Sequence, residues 1–175
     1  MGKIALITGA SRGIGRQIAR DFAAHGYGVV INYFKNRQAA LQLQEELGSS
    51  ALAVQADISD PEAVANMVQQ AQAHFGDVDV LINNAGISSF GLLTEMTREQ
   101  WMHVFDINVH GAYYCIHEVL PAMIHNQRGV ILNISSMWGV VGASCEVCYS
   151  ATKAALIGLT KALAKEVGPA GIRVN

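Results

Sequence analysis

The strongest constraint on this chain is the alternation of short apolar runs with helix-period segments. Apolar runs at Lys3 to Thr8, Gly28 to Asn32, Ala51 to Ala56, Val78 to Asn83 and Gly129 to Ser135 are nearly continuous. Such runs suit strands buried on both faces, as in a parallel sheet. Between them lie segments with apolar residues every three or four positions. Ile14, Ile18 and Phe22, for example, share one face of a helix over Gly13 to His25. Further helices are expected over Gln38 to Leu47, from Asp60-Pro61 onward, from Thr97 to about Asn126 with bends near Gly111 and Pro121, and over Tyr149 to Val167. Strand-helix alternation of this kind argues for βαβ units. The fold class is therefore α/β, a doubly wound parallel sheet with helices on both faces, Rossmann-like.

The ends of these segments carry their own signals. Gly26 and Gly48 stop the first two helices, and Asp60-Pro61-Glu62 starts the third with a cap, a proline at the first position and an acid in the first turn. Thr97-Arg98-Glu99-Gln100 is a capping-box pattern. Gly171 to Asn175 reads as a sixth strand with nothing after it, so residues 1–175 are expected to be a single domain whose C-terminal part is missing.

Composition removes several function classes. Hydrophobic residues make up 51% of the 175 and charged residues 15%, with a net charge of −2. That is a globular composition with no basic stripe for nucleic acid. No apolar run reaches membrane-span length, and no signal-peptide layout opens the chain, so a cytoplasmic protein without a membrane partner is expected. The three cysteines, Cys115, Cys145 and Cys148, form no disulfide framework, and Cys145-x-x-Cys148 lacks the second ligand pair of a zinc site. His103, His110 and His117 recur every seven residues. Two helical turns span about 10.5 Å, too far for one ion bound at about 2.1 Å. No metal is expected.

Strand one runs into Thr8-Gly9-Ala10-Ser11-Arg12-Gly13-Ile14-Gly15. Glycines at a strand-to-helix turn let backbone N–H groups approach a pyrophosphate, and the helix N-terminus adds partial positive charge. An acid at the end of strand two would favour NAD by accepting from the ribose hydroxyls. Asn32 and Tyr33 stand there instead, and Arg12, Lys35 and Arg37 offer cations for a 2′-phosphate. NADP(H) is expected over NAD(H).

Tyr149-x-x-x-Lys153 places a phenol and an ammonium on one helix face. An ammonium about 4 Å from a phenol favours the phenolate by about 4 kcal/mol at an effective dielectric near 20, which suits the pair to acid–base work on a ketone. Ser136, just beyond strand five, can donate to a developing oxyanion. Asn83-Asn84-Ala85-Gly86 lies beyond strand four, where small residues let backbone pass close to a cofactor. Asp57 ends strand three, where a carboxylate can accept from an adenine amine. Asn108, a poor helix former in mid-helix, can open the helix and hold a water beside Lys153.

Taken together in order and spacing, TGASRGIG, Asp57, NNAG, Asn108, Ser136 and YSATK resemble the short-chain dehydrogenase/reductase family over essentially all 175 residues. The resemblance implies an NAD(P)-dependent oxidoreductase acting on CH–OH groups. It implies Tyr149 as acid/base, Lys153 on the nicotinamide ribose and activating Tyr149, Ser136 orienting the carbonyl, and Asn108 supporting a proton relay. It implies cofactor contacts at Gly9, Ser11, Arg12, Gly13, Ile14, Gly15, Asn32, Asp57, Ile58, Asn84, Ala85, Gly86, Tyr149 and Lys153. Within the family the chain is similar to the 3-oxoacyl-(acyl-carrier-protein) reductases. The stretches Ser135–Gly139 and Gly142–Val147 also resemble a bacterial subgroup assigned to reducing the 5-aminopentanone modification on elongation factor P.

The expected partner is a ketone carried on acyl carrier protein or another protein. Other secondary-alcohol dehydrogenases and a non-catalytic dinucleotide-binding module are the alternatives. The resemblance also implies a substrate lid beyond Asn175. It further implies a homodimer or homotetramer built on the helices around residues 99–126 and 149–167, where Trp101, Tyr113, Leu156, Ile157 and Leu159 are candidate contacts.

Overall fold

Alternate residues of the buried runs face opposite sides of one sheet, and both sides are covered. A computed structural model describes residues 2–175. Strands β1 (Ile4–Ile7), β2 (Gly28–Tyr33), β3 (Ala51–Gln55), β4 (Val80–Asn83), β5 (Gly129–Asn133) and β6 (Ile172–Val174) form a parallel sheet in the order β3-β2-β1-β4-β5-β6. Helices α1 (Gly13–Ala24), α2 (Arg37–Leu47), α3 (Pro61–Phe75), α4 (Arg98–Phe105), α5 (Gly111–His125), α6 (Trp138–Val141) and α7 (Val147–Val167) connect them. This is the doubly wound fold read from the alternation.

The core follows the two-residue period of a strand. Ile4 and Leu6 of β1, with Val30, Leu81 and Ile131, pack against Met67 of α3 and Cys115, Val119 and Met123 of α5. Ala5 and Ile7, with Val29, Ile31 and Ile82, pack on the other side, where Ala19 of α1 and Leu43 of α2 are buried. Each fully buried aliphatic side chain of this kind contributes about 1.5–3 kcal/mol.

The expected helix ends are in place. Asp60 accepts from the Glu62 N–H at 2.9 Å, and Thr97 and Gln100 make a reciprocal capping box. Three details differ from the sequence reading. The helix break falls at a π turn, Asp106–His110, ahead of Gly111. Gly111 is small for another reason: a Cβ there would lie 2.7 Å from Ile58 Cδ1. Pro121 sits inside α5, which continues through it. Helix α7 starts at Val147, two residues earlier than expected, and the short α6 precedes it.

All three cysteines are free. Burial, with a smaller effect from Glu118, pushes the Cys115 thiol up from 9.0 to about 12. A raised folded-state value means that this contribution to stability is complete below pH 9.0 and is lost as pH rises through about 12. Cys115 is therefore expected to resist iodoacetamide in the folded protein at mildly alkaline pH and to react on unfolding in urea. Peptide mass mapping reads the result, and labelling of Cys115 before the half-buried Cys145 would contradict it.

Candidate active site

Strand order reverses at β1, between β2 and β4, and ligands of open α/β sheets bind at such a switch point beyond the strand carboxyl ends. The glycine loop emerges there, and the loop after β4 is sewn to it. Thr8, at the end of β1, is buried and its Oγ1 accepts from the N–H groups of Asn84 and Ala85, each at 3.0 Å. Asn84 Nδ2 donates back to the Thr8 carbonyl at 2.8 Å. Gly9 has φ +64°, and a Cβ on it would sit 3.0 Å from Ala85 Cα. Gly15 admits no side chain, because a Cβ would lie 2.5 Å from Asn84 Nδ2.

Asn32 is placed otherwise than its expected cofactor contact requires. It is 2% exposed, its Oδ1 accepts from Gly9 N–H at 3.1 Å, and its Nδ2 donates to the Ala56 carbonyl at 3.1 Å. Both ends of the amide are occupied, so Asn32 braces the glycine loop from below. Phe34, Lys35, Asn36 and Arg37 are the exposed residues after β2.

The start of α1 fits a dinucleotide diphosphate. Its N-cap, Arg12, gives no side-chain cap, and no acid stands in the first turn. The orphan N–H groups of that turn, around Gly13, Ile14 and Gly15, thus keep their capacity for an anion. Gly13 (φ +56°) faces open space. Ser11 is buried, and Arg12 is exposed at the rim. On the far side of β2, Asp57 Oδ1 accepts from Ser59 N–H at 3.0 Å and Ser59 Oγ at 2.7 Å. Ile58 is buried against the Gly111 position, which leaves only its backbone for a ligand.

The acid–base group forms across the gap at the ends of β4 and β5. Lys153, 4% exposed, donates from Nζ to the Ile134 carbonyl at 2.7 Å and lies 5.7 Å from the Tyr149 ring centroid. Burial holds its pKa below the ordinary 10.5, because a desolvated ammonium is disfavoured. Gly86 closes over it, and a Cβ there would be 3.4 Å from Lys153 Nζ and 3.2 Å from Asn108 Oδ1. Ser136 Oγ accepts from the Trp138 N–H at 3.2 Å, so its own proton is directed elsewhere and can be donated.

Asn108 does open the helix, at the π turn. Its side chain, however, is committed: Oδ1 accepts from Ile87 N–H at 2.8 Å, and Nδ2 donates to the Ile87 carbonyl at 2.8 Å and to Thr152 Oγ1 at 3.0 Å. The amide fixes the loop after Gly86 to the helix pair.

Four supporting groups escaped the sequence reading. Thr8 and Thr152 look like ordinary strand-end and helix residues. Ser135 Oγ donates to the Lys153 carbonyl at 2.9 Å, and Gly139 lets α6 touch α7. A Cβ on Gly139 would be 2.7 Å from the Lys153 carbonyl carbon. Only the paired serines Ser135 and Ser136 and the glycine at 139 hinted at close packing. Cys148 is buried with its Sγ 3.7 Å from the Trp101 carbonyl, and Cys145 accepts from Gly91 N–H at 2.8 Å.

A diphosphate cradle at the switch point, with a hydroxyl, a phenol and a buried ammonium beyond β5, defines a dinucleotide-dependent oxidoreductase. A family model for short chain dehydrogenases matches residues 3–175. The chain belongs to that family and is an NAD(P)-dependent oxidoreductase.

It is 43% identical over 178 residues to the 3-oxoacyl-(acyl-carrier-protein) reductase FabG of Staphylococcus aureus (strain Mu50), covering all of this chain and 72% of that one. It is 40% identical over 176 residues to the 3-oxoacyl-(acyl-carrier-protein) reductase of Synechocystis sp., covering 99% of this chain and 71% of the relative. The crystal structure of 3-ketoacyl-(acyl-carrier-protein) reductase from Brucella melitensis, complexed with NADH, superposes with a TM-score of 0.95 at 38% identity, covering 99% of this chain and 73% of that one. No helix among the described residues is long and apolar enough to cross a membrane.

Proposed function

We propose that residues 2–175 act as one dinucleotide-binding and catalytic unit that reduces a 3-oxoacyl thioester with NADPH. The observation that carries this reading is Lys153. A buried ammonium kept under Tyr149, with its remaining N–H donors unassigned, costs stability unless it serves a ligand. The same point argues against a non-catalytic module. The 43% identity to a reductase of carrier-bound 3-oxoacyl groups supports the substrate class.

The glycine loop and the first turn of α1 would hold the diphosphate, and Asp57 with the Ile58 backbone would hold the adenine end. Asn84, Ala85 and Gly86 would flank the nicotinamide, with Lys153 holding its ribose. A bound dihydronicotinamide supplies hydride for the ketone carbon. Ser136 donates a hydrogen bond to the ketone oxygen and orients it. Tyr149 gives its phenolic proton to that oxygen as negative charge develops there. Lys153 steadies the phenolate left behind. Asn108 holds the loop after Gly86 at its distance from Lys153, and the half-buried Tyr149 takes its proton back from solvent. Consumption of NADPH with acetoacetyl-CoA, a 3-oxoacyl thioester, tests the reading; no turnover would refute it.

NADPH is expected to bind more tightly than NADH. No acid stands among the residues directly after β2, and Arg12, Lys35 and Arg37 are all exposed. A charged hydrogen bond to the 2′-phosphate contributes about 1.5–3 kcal/mol, about 10- to 100-fold in Kd. The Brucella melitensis relative holds NADH, which makes the comparison informative. Calorimetric titration of both cofactors decides it, and equal affinities would overturn the preference.

Self-association is also proposed, on a smaller patch than the sequence suggested. Leu156 is buried in the chain's own core and Leu159 packs against it. Trp101 stacks on Phe105. Met102, Tyr113 and Ile124 remain exposed on α4 and α5. Light scattering is expected to give a dimer or tetramer through this face, and a monomer at micromolar concentration would count against it.

A further inference from the structure

We infer that Thr152 is a positioning residue for Tyr149, acting through a hydrogen-bond chain that joins three separate segments. The inference rests on the reductase reading. Thr152 is fully buried and Asn108 is 1% exposed. The Thr152 hydroxyl donates to the Tyr149 carbonyl at 2.7 Å and accepts from Asn108 Nδ2 at 3.0 Å. The second N–H of the same amide donates to the Ile87 carbonyl, and Asn108 Oδ1 accepts from the Ile87 N–H, both at 2.8 Å. One line of bonds therefore runs from the loop after β4, through the π turn, to the first turn of α7.

The directions of these bonds are fixed by the donors. Asn108 Nδ2 has no acceptor capacity, so the Thr152 oxygen must accept from it and send its single proton onward to Tyr149. The Asn108–Thr152 bond at the centre of the chain is buried, and the bonds to Ile87 and Tyr149 on either side are part-buried, so each bond helps to set the geometry of the next. The consequence reaches the acid–base group from two sides. Tyr149 is held through its own backbone carbonyl, in the first turn of α7. Gly86, next to Ile87, is held 3.2 Å (as a Cβ position) from Asn108 Oδ1 and 3.4 Å from Lys153 Nζ. Thr152 touches neither ligand space nor the phenol. It sets the spacing between the Gly86 wall and Tyr149.

Valine has the shape of threonine without the hydroxyl, so Thr152→Val leaves one Asn108 N–H buried without an acceptor and removes the side-chain donor to the Tyr149 carbonyl, which keeps only its helical N–H. The test uses NADPH and acetoacetyl-CoA with wild type, T152V and T152S. Misplacement by a fraction of an ångström lowers kcat steeply, so T152V is expected to lose about 10- to 100-fold in kcat. Its Kd for NADPH should change far less, and T152S should recover most of the lost rate. Hydrogen exchange supplies a readout independent of turnover: the Ile87 amide should exchange faster in T152V and at the wild-type rate in T152S. T152V with wild-type kcat overturns the inference, as does equal impairment of T152V and T152S, which would show that side-chain volume matters and the hydroxyl does not. Wild-type protein that leaves the ketone unreduced overturns the reductase reading, and this inference with it.

Discussion

Tyr149→Phe is expected to lower kcat about 10²- to 10⁴-fold, the range contributed by a positioned general acid, while the Kd for NADPH stays near the wild-type value. The substitution removes one oxygen and keeps the ring. The ring packs 5.7 Å from Lys153 Nζ, and its backbone carbonyl still accepts from Thr152, so α7 keeps its first turn. No hydrogen bond of the phenolic oxygen to the protein would be lost from the network described above. The loss should fall on the proton transfer alone. Steady-state kinetics with acetoacetyl-CoA, beside cofactor titration by fluorescence, separate the two quantities. A variant that keeps more than a few per cent of wild-type kcat would assign the proton to another donor.

Lys153→Ala is expected to damage turnover and cofactor binding together. Lys153 Nζ donates to the Ile134 carbonyl at 2.7 Å, and its other N–H donors have no protein acceptor among the described residues. Removing the ammonium leaves that carbonyl without its donor and deletes the only side-chain cation held beneath Tyr149 among the described residues. The loss of a charged hydrogen bond to a ribose hydroxyl costs about 1.5–3 kcal/mol, so Kd should rise about 10- to 100-fold, with a fall in kcat on top. The pH profile carries a sign. Burial places the Lys153 pKa below the ordinary 10.5. The ammonium is therefore lost at lower pH than that of an exposed lysine. Cofactor affinity should decline on the alkaline side ahead of pH 10.5 in wild type, and this limb should be absent in Lys153→Ala. Unchanged affinity in the variant would place the ribose away from Lys153.

Much of the candidate site was legible because its chemistry is local in sequence. The turn from Thr8 to Gly15 is a contiguous segment, and Tyr149 and Lys153 are one helical turn apart, so spacing alone brings them together. The caps at Asp60 and Thr97 were legible for the same reason. Asn32 shows the limit. Its position at the end of β2 suggested a ligand contact, yet Gly9 and Ala56 compete for its amide from 23 and 24 residues away. Asn108 shows it again: a poor helix former signalled an opened helix, but not that Ile87 and Thr152 would take its side chain.

The sequence by itself determined the strand-helix alternation, the parallel sheet and the identity of the hydroxyl, phenol and ammonium, since these follow from side-chain periodicity and residue type within short windows. Tertiary structure alone decided which polar groups are left without a protein partner and which are consumed in bracing one another. A buried polar group must find a partner, and for Thr8, Asn32, Asn108 and Thr152 that partner lies on another segment of the chain, except for the carbonyl one turn back that Thr152 also holds. Sheet order, not sequence distance, sets which segments meet.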